Sequence, residues 1–117
     1  MKKVLIIEND SDTLDLLGYI IADMNFHVQR MSKLISLKEI QNINPDIILI
    51  DYWLPNGKGS DACLEIKNNE STAHIPVILM STNIQTPKIA EDCLADTYIE
   101  KPFDIDDLIK VLMKFAK

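Results

Sequence analysis

Glycine is scarce: Gly18, Gly57 and Gly59 are the only three in 117 residues. No spacing of these forms a dinucleotide fingerprint or a P-loop, so both nucleotide-binding motifs are excluded. Cysteine is scarcer. Cys63 and Cys93 stand far apart in the sequence, which argues against a disulfide framework and fits a reducing compartment. Both read as small buried hydrophobes. His27 and His74 are isolated and lack zinc-ligand spacing. Long apolar runs are missing too. The N-terminal MKKVLIIEND has four apolar residues before charge returns, short of a signal peptide and of the about 20 that cross a membrane. A cytoplasmic location is expected. Basic clusters are absent: 12 Lys and Arg against 18 Asp and Glu leave a net charge of −6. Such a chain is a poor candidate for direct contact with nucleic acid or an anionic membrane.

What is present is globular in composition, with 47% hydrophobic and 26% charged residues, too apolar for a disordered chain. The length fits one domain over residues 1–117, large enough to bury roughly two thirds of its unfolded surface. Val4 to Ile7 and Ile47 to Ile50 are short, branched, continuous apolar runs, the pattern of strands covered on both faces. Val77 to Met80 reads the same way. Phe26 to Met31 reads as a weaker strand and Thr97 to Glu100 as a short one. Leu14, Leu17, Ile20, Ile21 and Met24 recur at helical spacing, with Asp10, Ser11 or Asp12 as cap. Ser36 and Glu39 have capping-box spacing for a second helix to about Ile43, and Asn44-Pro45-Asp46 is a turn. A loop with Pro55, Gly57 and Gly59 precedes a third helix over about residues 60–69. Thr86-Pro87 reads as an N-cap with proline at the first helical position, opening a fourth helix to about Ala95. Asp104 starts the fifth, with Ile105, Leu108, Ile109, Leu112 and Phe115 on one face. Its acidic start and its basic end (Lys110, Lys114, Lys117) complement the helix dipole. Met24, Met80 and Met113 read as core filler.

Five short strands alternating with five helices predict a doubly wound α/β fold, a parallel sheet with helices on both faces. Sites in such folds lie beyond the carboxyl ends of the strands. The first strand is followed by Glu8, Asn9 and Asp10, the third by Asp51, the fourth by Ser81 and Thr82, the fifth by Lys101 and Pro102. Oxygen ligands of this kind suit Mg²⁺. A carboxylate can attack phosphorus to give an aspartyl phosphate, and a lysine with a hydroxyl can hold the phosphoryl oxygens. The residues alone therefore point to Mg²⁺-assisted phosphoryl transfer.

The same residues carry a family resemblance over the full chain. The acidic cluster at Glu8, NPDIILIDYWLP around Asp51, Gly59, PVILMS ending at Ser81 and TYIEKPF around Lys101 resemble the receiver domains of two-component response regulators, the chemotaxis regulators included. The resemblance implies a flavodoxin-like (βα)5 three-layer sandwich with strand order 2-1-3-4-5. It implies that Asp51 is the phosphoacceptor for a histidine kinase or phosphotransfer protein, and that Glu8 and Asn9 fall at two metal positions. Asp51 and the Trp53 backbone carbonyl would complete the Mg²⁺ ligands. Ser81 sits at the switch hydroxyl, Tyr98 at the switch aromatic, and Lys101 at the family's lysine, before a proline whose peptide bond is typically cis. Such a domain catalyses only its own phosphotransfer and dephosphorylation. It signals to a downstream protein through helix four, strand five and helix five, as a monomer or a weak phosphorylation-dependent dimer.

Departures from the pattern set further expectations. Asn9 replaces an acidic residue, so weaker Mg²⁺ binding is expected, with Asp10 as a substitute ligand. Bulky Trp53 and Thr82 are expected to slow dephosphorylation. The stretch from Ser81 to Lys101 is short and has Leu94 where a glycine is common, so helix four is expected to be short, shifted or mobile. No DNA-binding helix-turn-helix or catalytic output domain follows, so action through a partner or by phosphoryl relay is expected. Two readings compete. One is a pseudo-receiver, an interaction module unphosphorylated because of Asn9. The other is a haloacid-dehalogenase-like, Mg²⁺-dependent phosphatase, which needs a second aspartate where Trp53 stands.

Overall fold

The side chains of the first strand divide by parity, and the division organises the molecule. A computed structural model describes residues 1–116; Lys117, read above as part of a basic helix end, lies outside them. The elements are β1 (Lys3–Ile7), α1 (Ser11–Asp23), β2 (His27–Met31), α2 (Leu37–Ile43), β3 (Ile47–Asp51), α3 (Gly59–Lys67), β4 (Val77–Ser81), α4 (Thr86–Asp92), β5 (Thr97–Glu100) and α5 (Ile105–Phe115). All five strands run parallel in the order β2-β1-β3-β4-β5, the doubly wound, flavodoxin-like arrangement expected. Because strand side chains alternate faces, Leu5 and Ile7 join Ile48, Ile50 and Leu79 in a core closed by α2, α3 and α4. Val4 and Ile6 join Leu49, Ile78 and Met80 in a second core closed by α1 and α5.

Local chemistry sets the element ends. Asp10 caps α1, its carboxylate accepting the Thr13 N–H at 2.9 Å. Ser36 and Glu39 form the reciprocal capping box of α2. Asp104 caps α5, accepting from the Asp106 N–H at 2.8 Å. Between β3 and α3, where the sequence reads as a plain loop, Trp53–Leu54 and Gly57–Lys58 pair as a short antiparallel ribbon. Asn56 at its turn accepts the Leu34 N–H at 2.9 Å and donates to the Leu34 carbonyl at 3.0 Å. The ribbon is thereby clamped to the loop after β2.

Three expectations need correction. Thr86 does not cap α4; Gln85 precedes the helix and makes no side-chain cap bond. Thr86 is buried, and its hydroxyl donates back to the Asn83 carbonyl. On α5, Leu108 and Leu112 are buried with Val111 and Phe115 packed beside them, whereas Ile105 is exposed. Met113 is exposed and not core filler. Helix α4 has seven residues and is short, as expected.

Leu94, just past α4, has φ +64°, a left-handed conformation that costs a side-chain-bearing residue roughly 1–2 kcal/mol. Half its surface is in water, so little burial opposes its removal. Leu94→Gly is therefore expected to stabilise the fold by about 0.5–1 kcal/mol, after glycine's own entropic cost. Equilibrium urea unfolding checks this; a loss of stability would contradict it.

Candidate functional site

The parallel register brings the carboxyl ends of β1, β3, β4 and β5 to one edge. The sheet's hydrogen-bonding pattern continues past the strands. Glu8 N–H donates to the Met31 carbonyl at 3.0 Å, Tyr52 N–H to Met80 at 2.8 Å, and Lys101 N–H to Ser81 at 2.8 Å. Glu8, Asp51 and Lys101 are thus held by backbone as well as by side chains.

Three of the residues selected from sequence converge. The Lys101 ammonium pairs with Glu8 Oε1 and lies 3.1 Å from Asp51 Oδ1. Glu8 is 1% exposed and its other oxygen accepts the Asp10 N–H at 3.0 Å. Asp51 is 9% exposed at the end of β3. One cation thus serves two largely buried carboxylates, an arrangement that is stable only because each charge is compensated. Burial raises the Asp51 pKa and the nearby Glu8 charge adds to that, against the opposing pull of Lys101. For Lys101, burial acts to lower the pKa, but the hydrogen bond to Glu8 and the charge of Asp51 outweigh it and the value is raised.

The other selected residues are placed differently. Ser81 is buried beside the cluster, and its Oγ accepts the Asn83 N–H at 2.9 Å. Among the described residues the serine hydroxyl donates to no acceptor, so its hydrogen can turn toward a new one. Tyr98 lies on β5 opposite Leu79 and is partly exposed. Trp53 opens the ribbon with its ring exposed, edge-on to Tyr52 at 4.9 Å, and the Lys58 ammonium lies 5.6 Å from its centroid. Asn9 is exposed next to Glu8. Asp10 is committed elsewhere: Thr13 donates to its carboxylate through both its hydroxyl (2.6 Å) and its N–H (2.9 Å). The hydroxyl bond is the main reason that the Asp10 pKa is lowered. Asp10 is a helix cap before it is a ligand. The Lys101-Pro102 peptide bond is cis, as the resemblance implies.

The donor set fits a magnesium ion, which takes one or two carboxylates and fills its remaining positions with water and phosphate oxygens. Glu8 and Asp51 would supply the carboxylates, and Asn9 would add an uncharged amide. Among the described residues, no group of three or more His, Cys, Asp or Glu side chains is gathered to hold a metal.

Two supporting residues had a partial signal or none in the sequence. Gly59 stands against Asp51 itself: a Cβ there would lie 2.0 Å from the Asp51 carbonyl oxygen. Its N–H also donates to the Tyr52 carbonyl at 2.7 Å. Asn56 clamps the ribbon from a distance that no local pattern reveals.

Asp51 carries a pH prediction. A carboxyl with a raised folded-state pKa stabilises the fold while protonated, and that contribution is lost as pH rises through the folded value. Asn has no such loss. In chelator-treated buffer, Asp51→Asn is therefore expected to melt higher than the wild type at neutral pH. The gain should vanish as the pH falls below the ordinary aspartate range. Thermal melts across that range check this, and a variant that melts lower at neutral pH would contradict it.

Comparison with known proteins follows the same lines. The family model described as response regulator receiver domain matches residues 4–113. The chain is 30% identical over 112 residues to the DNA-binding dual master transcriptional regulator RpaA of Synechocystis, covering 93% of this chain and 46% of that protein. It is 32% identical over 112 residues to the response regulator ArlR of Staphylococcus saprophyticus, covering 93% and 50%. The chain thus spans about half the length of these relatives. Among solved structures, the signal receiver domain of a DNA-binding response regulator from Colwellia psychrerythraea superposes with TM-score 0.90 at 21% identity, covering 99% and 98%. The chemotaxis response regulator CheY4 of Vibrio cholerae gives 0.88 at 18%, covering 99% of each chain. At such identities these two speak to the fold. Among the described residues no helix is long and apolar enough to cross a membrane.

Proposed function

The chain belongs to the response regulator receiver domain family of two-component signalling, and on that premise we propose that Asp51 is its phosphoacceptor. The observation that carries this reading is the Lys101 ammonium set between Asp51 and the buried Glu8. A carboxylate oxygen of Asp51 attacks the phosphorus of a phosphohistidine on a kinase or phosphotransfer protein. The P–O bond forms as the P–N bond breaks, and the imidazole leaves. Lys101 stabilises the charge on the phosphoryl oxygens as it develops. Glu8, Asp51, the Asn9 amide and the Trp53 backbone carbonyl would hold Mg²⁺, which supplies further neutralisation of that charge. An apolar groove of about 460 Å³, lined by Leu16, Thr82, Lys101, Phe103 and Ile105, borders the lysine.

After transfer, the Ser81 hydroxyl turns to donate to the phosphoryl group and Tyr98 repacks. The face made by α4, β5 and α5 then changes its affinity for a downstream protein.

The test is intact mass after incubation with acetyl phosphate, with and without Mg²⁺, beside Asp51→Asn. A Mg²⁺-dependent gain of one phosphoryl group, absent in the variant, is the expected result. No gain at any Mg²⁺ concentration would overturn the reading in favour of an unphosphorylated interaction module, with Asn9→Asp as the next variant. Trp53 and Thr82 are expected to protect the aspartyl phosphate from water. Trp53→Ala and Thr82→Ala should each shorten its lifetime about two- to tenfold, a barrier change of up to about 1.4 kcal/mol. If neither shortens the decay followed by mass, that role is wrong.

A further inference from the structure

Of the chain's asparagines, Asn56 alone is followed by a glycine. The ribbon holds both residues in place. The Asn56 carboxamide accepts the Leu34 N–H at 2.9 Å and donates to the Leu34 carbonyl at 3.0 Å, a pair of bonds that needs an amide, because a carboxylate has nothing to donate. Gly57 has φ +150°, a backbone in which a side chain is strained. A Cβ there would also lie 2.9 Å from the Leu34 Cδ1 atom. The same pair is chemically labile. A following residue without a side chain lets its nitrogen approach the carboxamide carbon closely, and Asn56 is exposed to water. The amide that clamps the ribbon and the glycine that its turn requires are thus the two partners of a self-cleaving carboxamide.

We propose that Asn56 is a site of spontaneous deamidation, and that the change irreversibly releases the ribbon from the loop after β2. The Gly57 nitrogen attacks the Asn56 carboxamide carbon. The new C–N bond closes a succinimide ring, the bond from that carbon to Nδ2 breaks, and the Gly57 amide proton leaves with the amine as ammonia. Water then adds to one ring carbonyl and the ring opens, restoring the Gly57 N–H. Attack at the side-chain carbonyl gives aspartate. Attack at the main-chain carbonyl gives isoaspartate, whose main chain is one carbon longer. Either product sets a carboxylate against the Leu34 carbonyl, so the donated bond is lost and the two oxygens repel. Isoaspartate also displaces the Leu54–Gly57 pairing of the ribbon. Closing the ring brings the carboxamide carbon onto the Gly57 nitrogen, a movement that both bonds to Leu34 oppose. The intact ribbon therefore resists the change and local opening admits it.

The experiment incubates the full chain in neutral buffer at physiological temperature, folded and in urea, and follows the proteolytic peptide that spans Asn56 and Gly57. The expected product is that peptide with the carboxamide converted to a carboxyl, as separable aspartate and isoaspartate forms. It should appear about tenfold more slowly in the folded chain than in urea, because two hydrogen bonds must first open. Amide exchange over residues 53–58 should then speed about tenfold in the aged chain. Asn56→Asp should show the same direction of change, since it carries the carboxylate without the longer main chain. Circular dichroism establishes that it is folded, and the aged wild-type chain stands without it. No product at Asn56 in either arm would overturn the site, and equal rates folded and in urea would overturn its protection by the clamp. Unchanged exchange in the aged chain would overturn the release. None of these readings depends on phosphorylation of Asp51.

Discussion

Gly59→Ala is expected to cost about 3 kcal/mol of stability, at the upper end of overpacking effects, and to abolish most phosphoryl uptake by the same chain. The reason is the contact at the first residue of α3. A methyl group there lies 2.0 Å from the Asp51 carbonyl oxygen and 3.2 Å from an Ile50 side-chain carbon. Backbone cannot swing aside as the end of a flexible side chain can. Either α3 moves away, breaking the Gly59 N–H bond to Tyr52, or the end of β3 moves and takes the Asp51 carboxylate with it. Both routes strike the acceptor. Urea unfolding and acetyl phosphate labelling are read together. A variant with wild-type stability and labelling would show that the loop gives way freely.

Lys101→Met is expected to be the other severe change, at about 3–5 kcal/mol, the cost of leaving a buried charge without its partner. Glu8 is almost wholly enclosed, and with Lys101 gone its compensation falls to the single Asp10 N–H. The methionine keeps the apolar stem, so the loss reports the ammonium. Glu8→Gln added to Lys101→Met should recover more than half of the lost stability, because no uncompensated buried carboxylate then remains at Glu8. A lysine with a raised pKa contributes stability that is present at neutral pH and lost as pH rises through that value. The gap between wild type and Lys101→Met should accordingly hold at neutral pH and narrow only in alkali. Phosphoryl uptake should fall with Lys101→Met and stay low in the double variant, separating the lysine's role at phosphorus from its role in folding. If the single variant unfolds like the wild type, the charge was never dependent on this pair.

What could be read in the residues, and what could not, follows from range. Val4 to Ile7, Ile47 to Ile50 and Val77 to Met80 announce buried strands because each carries its signal in consecutive positions. Asp10, Ser36 and Asp104 announce helix starts because a cap acts over three residues. The placement of Glu8, Asp51, Ser81 and Lys101 at one edge follows from parallel strands alone. The pairing of Lys101 with Glu8 spans 93 positions and left no local trace. The ribbon at Trp53 is two residues a side, too short for any period. Thr86-Pro87 misled for a physical reason: the threonine hydroxyl found a carbonyl behind it and so entered the helix instead of capping it. Ile105 misled because helical spacing marks a stripe without saying how wide the neighbouring sheet is, and Met113 because an apolar residue type does not by itself say which face it takes.

The ribbon clamped by Asn56 bears on how this chain can change in length. Surface connections ordinarily accept added or removed residues. This one is pinned at both ends: Asn56 must reach Leu34 across 22 positions, and Gly59 must reach the backbone of Tyr52. One residue more or fewer would break one contact to keep the other. Insertions and deletions are left to stretches without such pins, such as the one between β4 and β5, where a seven-residue helix is followed by a left-handed leucine.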